Sequence, residues 1–308
     1  MKSTYKKCQF QTRSRRQTDM VRACCLGAIL VALASIWSSD FAQAKDLEDD
    51  DASTSTNSTL PNIYLDLRTN YAAVPANALS VGFGSPSLSS MVGTLSPSSS
   101  QGVAIDVPLT VDIGDRLSVY GGFSASASQG GASDWSTLAV SSWNAGFQVD
   151  VHQQNGGTIP TITLQSTLTR SVPDSPLATT SLNAIVEVGY ALNSDETRGF
   201  LAGIQHTRIA VDSPLATVKP ASIGYVGAYY QWENNWKITG RVGIQSFGGA
   251  QLLNLTPIPS FTQPIVRLDL DRLDDNDNRL FGLTAQIVWV PRPSYQLTIR
   301  TPLYAFRN

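Results

Sequence analysis

Few side chains in this 308-residue chain are suited to covalent chemistry. It has two histidines, His152 and His206. A Ser-His-Asp/Asn lipase site or an Asp-His protease site would need one of them beside a nucleophile and an orienting group. No Gly-x-Ser-x-Gly stretch occurs, and His152, beside the polar turn at 153–157, reads as an interface residue. The expectation is that the protein is not an enzyme, with no catalytic residue assigned. Asp269, Asp271, Asp274, Asp275, Asn276, Asp277 and Asn278 form an oxygen-rich run of the kind that can hold Ca²⁺. Asp274, Asp275 and Asp277 are its candidate ligands. The Glu that closes an EF-hand loop is missing, so a solvated acidic turn is the simpler reading, and no cofactor is expected.

The charges that carry most meaning lie inside apolar text. Asp150, Glu187, Arg241 and Arg300 each alternate with apolar neighbours. If those neighbours face lipid, the four charges line a lumen, because an Arg or Lys facing lipid near the midplane costs about 2–4 kcal/mol. They either border an aqueous pore and bias ion passage or pair across a filled lumen and stabilise it.

The elements that position them are strands. From Asn62 onward no window of about 12 residues holds the 3.6-residue period of a helix, whereas a two-residue period recurs. Val103, Ile105, Val107, Leu109, Val111 and Ile113 alternate with small or polar residues. The turn Gly114-Asp115 follows, and Leu117, Val119, Gly121 and Phe123 resume the pattern, as in a hairpin. Strands of about 11 residues are twice the soluble norm and match the 9–11 or so that cross a membrane. Loops are short on one side (114–115, 153–157, 193–198, 233–235) and longer on the other (72–101, 128–142, 171–180, 211–220, 249–261). Trp232, Trp236, Trp289 and Tyr295 cluster at strand ends, where amphipathic rings meet a membrane interface. The fold expected is all-β, a single antiparallel transmembrane β-barrel over 62–308. It has about 12 strands, with 10 to 14 allowed and residues 78–84 as a further short strand. The alternative is a soluble all-β sandwich. Asp174-Ser175-Pro176-Leu177-Ala178-Thr179 recurs as Asp212-Ser213-Pro214-Leu215-Ala216-Thr217, 38 residues on, and Thr169-Arg170 recurs as Thr207-Arg208. This reads as a duplicated hairpin with both loops on one side.

The N-terminus supplies the route. Seven Lys and Arg residues precede an apolar run, Ala23 to Trp37, that ends at Ala42-Gln43-Ala44. Residues 1–44 therefore read as a cleaved signal peptide, with the mature chain starting at Lys45; Met20 is an alternative start. Cys8, Cys24 and Cys25 all lie in this leader, so the mature chain has no thiol for disulfides or metal sites. Setting the leader aside leaves 15 basic and 22 acidic residues, an acidic balance without a basic cluster, which argues against nucleic acid as a partner. Residues 45–61, acidic and then rich in Ser and Thr, read as a disordered arm.

Leader, long amphipathic strands, Gly/Asn/Asp turns, interface Trp and near-terminal Phe306 together resemble Gram-negative outer-membrane barrels. More narrowly, the chain is similar to transporter barrels of the meta-pathway phenol-degradation type. The resemblance implies a cell outer membrane location, with membrane lipid and the barrel-assembly machinery as partners. It also implies passive transport of small, apolar or aromatic solutes through the lumen. The alternative is a non-conducting structural or surface-interaction barrel acting through its loops. Such barrels end on an aromatic of the last strand. Here Arg307-Asn308 follow, and Phe306 is out of phase with Tyr295, Leu297 and Ile299, which leaves the register of that strand open.

Overall fold

Wherever the alternation lasts about ten residues, the chain is extended. In the computed structural model the described residues are 61–75, 99–131, 133–172, 178–214, 216–252, 259–274, 279–289 and 293–306. Residues 1–60, which hold the expected leader and all but the last residue of the expected arm, and the stretch 78–84 lie outside them. The described residues form fourteen strands: β1 (Asn62–Val74), β2 (Ser100–Ile113), β3 (Leu117–Gly130), β4 (Ala139–His152), β5 (Thr161–Ser171), β6 (Thr179–Ala191), β7 (Arg198–Val211), β8 (Ala216–Val218), β9 (Ala221–Gln231), β10 (Trp236–Phe247), β11 (Ala250–Leu252), β12 (Phe261–Leu273), β13 (Arg279–Val288) and β14 (Ser294–Phe306). Twelve of them close a barrel in the order β1-β14-β13-β12-β10-β9-β7-β6-β5-β4-β3-β2. All its pairings are antiparallel. The other two, β8 and β11, form a small sheet of their own that the alternation did not announce, three residues being too few to show a period.

The connections keep their sides. The strand ends at 113 and 117, 152 and 161, 191 and 198, 231 and 236, and 273 and 279 lie at one end with Asn62 and Phe306, here the turn side. The strand ends at 74 and 100, 130 and 139, 171 and 179, 211 and 221, 247 and 261, and 288 and 294 lie at the other, the loop side. The described residues of the two Asp-Ser-Pro-Leu-Ala-Thr copies, 178–179 and 212–214 with 216–217, fall at the loop side; the rest of both copies lies outside the described residues. Tight reversals use residues that accept a left-handed backbone: Gly114 has φ 65° and Asn235 φ 62°.

One face of every long strand looks out. Val107, Leu109, Phe123, Trp143, Val186, Ile204, Val226, Val242 and Leu268 are exposed large apolar side chains, and their alternate partners Asp106, Ser124, Asn144, Gln205 and Asp269 are buried. A water-soluble sheet would do the reverse. Leaving this much apolar surface outside and polar surface inside is favourable when the outer solvent is hydrocarbon.

The phase of Phe306 has a local cause. On β14, Pro302 pairs with Asp66 and Tyr304 with Leu65, so Leu303 is an extra residue where the β1–β14 register shifts. A single-residue bulge exchanges the two faces beyond it. Tyr304 and Phe306 are thereby returned to the outer face, opposite Leu65 and Ile63. Pro302, which has no N–H to give to the ladder, sits beside the irregularity, a tolerated place for proline. Deleting Leu303 is expected to remove the bulge and leave Phe306 on the outer face, because Tyr304, Ala305 and Phe306 then follow Pro302 in unbroken alternation with the same partners. In Phe306→Trp, brominated lipid should quench the fluorescence with or without Leu303, and loss of the quenching in the deletion variant would show that the register beyond Pro302 is not the one described.

Candidate functional site

The lumen is divided along its axis. Its turn-side half holds a cavity of about 420 Å³. Ile185 is the single aliphatic side chain in its lining, which otherwise is polar, aromatic or glycine. Five arginines reach it: Arg68, Arg241, Arg267, Arg279 and Arg300. Three carboxylates face them: Glu187, Asp269 and Asp271.

Strand parity builds this network. Arg241 on β10 sends Nη1 to Asp269 Oδ2 on β12 at 2.8 Å. Its Nε reaches back to Glu187 Oε2 on β6 at 3.3 Å, passing β9 and β7 on the way. Arg267 Nε donates to Asp269 at 2.9 Å, and Thr284 Oγ1 donates to the same carboxylate at 2.6 Å. Arg279 Nε lies 2.7 Å from Asp271 Oδ1. Arg300 donates to Asp66, which also lies 3.7 Å from Arg68. Gly282, on β13, leaves room for this crossing: a Cβ there would stand 2.7 Å from Asp271 Oδ1 and 3.2 Å from Arg279 Cδ.

Three tyrosines lie flat across glycines of the neighbouring strand. Tyr225 pairs with Gly203, and Gly203 with Glu187; the phenol spans the glycine and donates to Glu187 Oε2 at 2.8 Å. Tyr120 lies over Gly146 in the same way, with Oη 2.7 Å from Thr167 Oγ1 on β5. Tyr229 covers Gly199 and carries Lys237 Nζ 4.8 Å above its ring, a cation–π contact. A Cβ at Gly203 would meet the Tyr225 ring at 2.5 Å, and one at Gly146 the Tyr120 ring at 2.6 Å. Only glycine leaves these rings their seats.

The loop-side half is different. Ile209, Ala221 and Phe247 point inward and pack with Val218 and Ala250 of the β8–β11 sheet, which folds over that end. Phe247 and Phe261 rings stand 5.4 Å apart. Phe247 and Ile265 are each 0% exposed, so the lumen wall at this level does not meet open water.

Of the residues singled out by sequence, Glu187, Arg241 and Arg300 face inward and meet in the cavity. Asp150 also faces inward but sits at the turn-side end of β4. There it accepts from Thr163 Oγ1 at 2.8 Å and Gln153 Nε2 at 3.3 Å, and it is not among the cavity's lining. The acidic run splits: Asp269 and Asp271 belong to β12 and are paired with arginines, while Asp275 and Asp277 lie outside the described residues. Among the described residues no group of three or more His, Cys, Asp or Glu is placed to hold a metal ion. His152 Nδ1 lies 3.0 Å from the Pro160 carbonyl beside its turn, and His206 faces outward; the two histidines share no site. Arg68, Arg267, Arg279, Tyr120 and Tyr225 were not anticipated. The stretch Arg267-Leu268-Asp269-Leu270-Asp271 did carry a signal, since strict alternation of charge and leucine marks a strand with one wet face.

No family model matches the sequence, and no curated protein does. Solved structures match by shape. An outer membrane channel from Pseudomonas putida F1 superposes with TM-score 0.52 at 11% identity, covering 84% of this chain and 100% of that one. This chain has the outer-membrane β-barrel fold. Other such barrels superpose less closely. The translocator domain of autotransporter NalP from Neisseria meningitidis gives TM-score 0.42 at 11% identity, over 95% of this chain and 98% of that one. A Pseudomonas aeruginosa FadL homologue gives 0.39 at 10%, over 79% and 91%. At these identities the likeness is one of fold.

Proposed function

We propose that this outer-membrane β-barrel is a passive channel for small polar solutes. The observation that carries the reading is the polar cavity of about 420 Å³ inside a wall whose outer face is apolar. Guanidinium and carboxylate groups can replace part of a solute's hydration on either side of it, and the paired charges keep those groups from being stranded in a dry site. The lining supports polar solutes over apolar or aromatic ones, because Ile185 is its only aliphatic side chain. The outer membrane is the location that fits the fold and the leader.

A second reading has its own support. The loop-side half is dry at Phe247 and Ile265, which favours a non-conducting barrel that acts through its loops. Planar-bilayer recording of the exported protein separates the two. A channel gives discrete current steps in potassium chloride, and uptake by vesicles carrying the protein should be faster for small hydrophilic solutes than for larger ones. Silence in bilayers, from protein whose gel mobility shows a folded barrel, selects the second reading.

A further inference from the structure

The outer wall has a sector that is not built like the rest. Near the loop-side end of the outer face, Tyr295, Tyr71 and Trp143 on β14, β1 and β4, and Trp289 just beyond β13, present exposed rings. Across β5 to β12 the matching places hold Arg170, Leu182, His206, Arg208, Ser222 and Ser246. Apart from Leu182, the ring girdle is replaced there by hydrogen-bonding and cationic groups.

The internal repeat shows which charge is uncompensated. Arg170 and Arg208 occupy the same place in the two copies, 38 residues apart. Arg170 is held bidentately by Asp212, with Nη1 2.8 Å from Oδ1. The residue that stands to Arg208 as Asp212 stands to Arg170 is Ala250. Arg208 is exposed, and among the described residues it has no carboxylate within 4.0 Å. His206, two residues along the same face and also exposed, has Nδ1 2.9 Å from Ser222 Oγ, and its Nε2 is unengaged among the described residues.

Depth decides what can meet Arg208. Ile204, near the middle of β7, is 65% exposed on the same face. Arg208 is four residues nearer the loops, which at about 3.3 Å per residue and a tilt of about 40° places it about 10 Å higher. That is the edge of the apolar band, where a long side chain reaches headgroups and a guanidinium meets phosphate with matched geometry.

We infer that Arg208 and His206, with Ser222 beside them, form a site on the outer wall for the phosphate of an anionic membrane-lipid headgroup, one without a cation of its own, in the loop-side leaflet. The site rests on the outer face lying in lipid and does not depend on conduction. It supplies from the membrane the anion that Ala250 does not.

Native mass spectrometry of the exported protein in detergent, with equal amounts of phosphatidylglycerol and phosphatidylcholine added, tests this. The wild type should retain phosphatidylglycerol preferentially. The Arg208→Gln, His206→Gln double variant should retain it about fivefold less, the loss expected for one cation at a headgroup, with phosphatidylcholine unchanged. Arg208→Lys should keep most of the preference. Equal retention of phosphatidylglycerol by folded wild type and double variant would overturn the site. A wild-type dimer that falls apart in the double variant would also overturn it, since the face would then belong to a second copy of the chain.

Discussion

Val242→Arg should prevent insertion of most of the protein, whereas Arg241→Gln, one residue away, should leave a folded barrel. Val242 is 52% exposed in the middle of β10 on the outer face. A cation there faces hydrocarbon near the midplane, at a cost of about 2–4 kcal/mol, a large share of the stability of an ordinary fold. Arg241 faces the cavity, where its removal leaves Glu187 and Asp269 still bonded to Tyr225, Arg267 and Thr284. Heat-modifiable mobility on gels reads both outcomes. If the lumen conducts, Arg241→Gln should also move the reversal potential toward cation preference, because one positive charge leaves the wall and two carboxylates stay. Normal insertion of Val242→Arg together with failure of Arg241→Gln would mean that the faces of β10 are assigned the wrong way round, a one-residue slip.

The second large effect is expected at Gly203. Valine there drives its Cβ into the Tyr225 ring, 2.5 Å away in the present geometry, so the phenol must leave Glu187. Overpacking of this kind costs about 1–3 kcal/mol, and the lost hydrogen bond to a charged group adds to it. The urea midpoint of the folded barrel should fall accordingly. Adding Tyr225→Ala to Gly203→Val should recover part of the loss, because the clash disappears with the ring. A double variant less stable than the sum of the single changes would show that the glycine is needed for the backbone and not for the ring.

Strand by strand, legibility followed chemical contrast between faces. On β2, Val103 to Ile113 alternate with Ala104, Asp106 and Thr110, and the outer and inner faces are readable from the sequence alone. On β9 the inward set is Ala221, Ile223 and Tyr225 and the outward set is Ser222, Gly224 and Val226. Neither is clearly wet, so composition could not assign them, and the dry loop-side half of the lumen stayed hidden. Glu187, Arg241 and Arg300 were readable as inward charges because each stands alone among apolar neighbours. Their partners were not, since Asp66 and Arg300 are brought together only by closure of the barrel, and Asp269 and Asp271 looked continuous with the acidic turn that follows them. The bulge at Leu303 left one trace in the sequence, the misphased Phe306.

The β1–β14 seam joins the two ends of the barrel chain. Thr298 Oγ1 donates to Asn70 Oδ1 at 2.5 Å across 228 residues, and Arg300 donates to Asp66 across 234. Bringing such distant segments together costs about 3 kcal/mol more chain entropy than closing a hairpin of about ten residues. No local pairing can repay that before the eleven other strand pairs are in place. The seam is therefore expected to close last. Contacts absent from the step that limits assembly govern how slowly a folded protein opens rather than how fast it forms. If closure follows that step, Asp66→Ala and Asn70→Ala should shorten the lifetime of the closed barrel, the two contacts acting as its latch, and leave the rate of strand insertion unchanged.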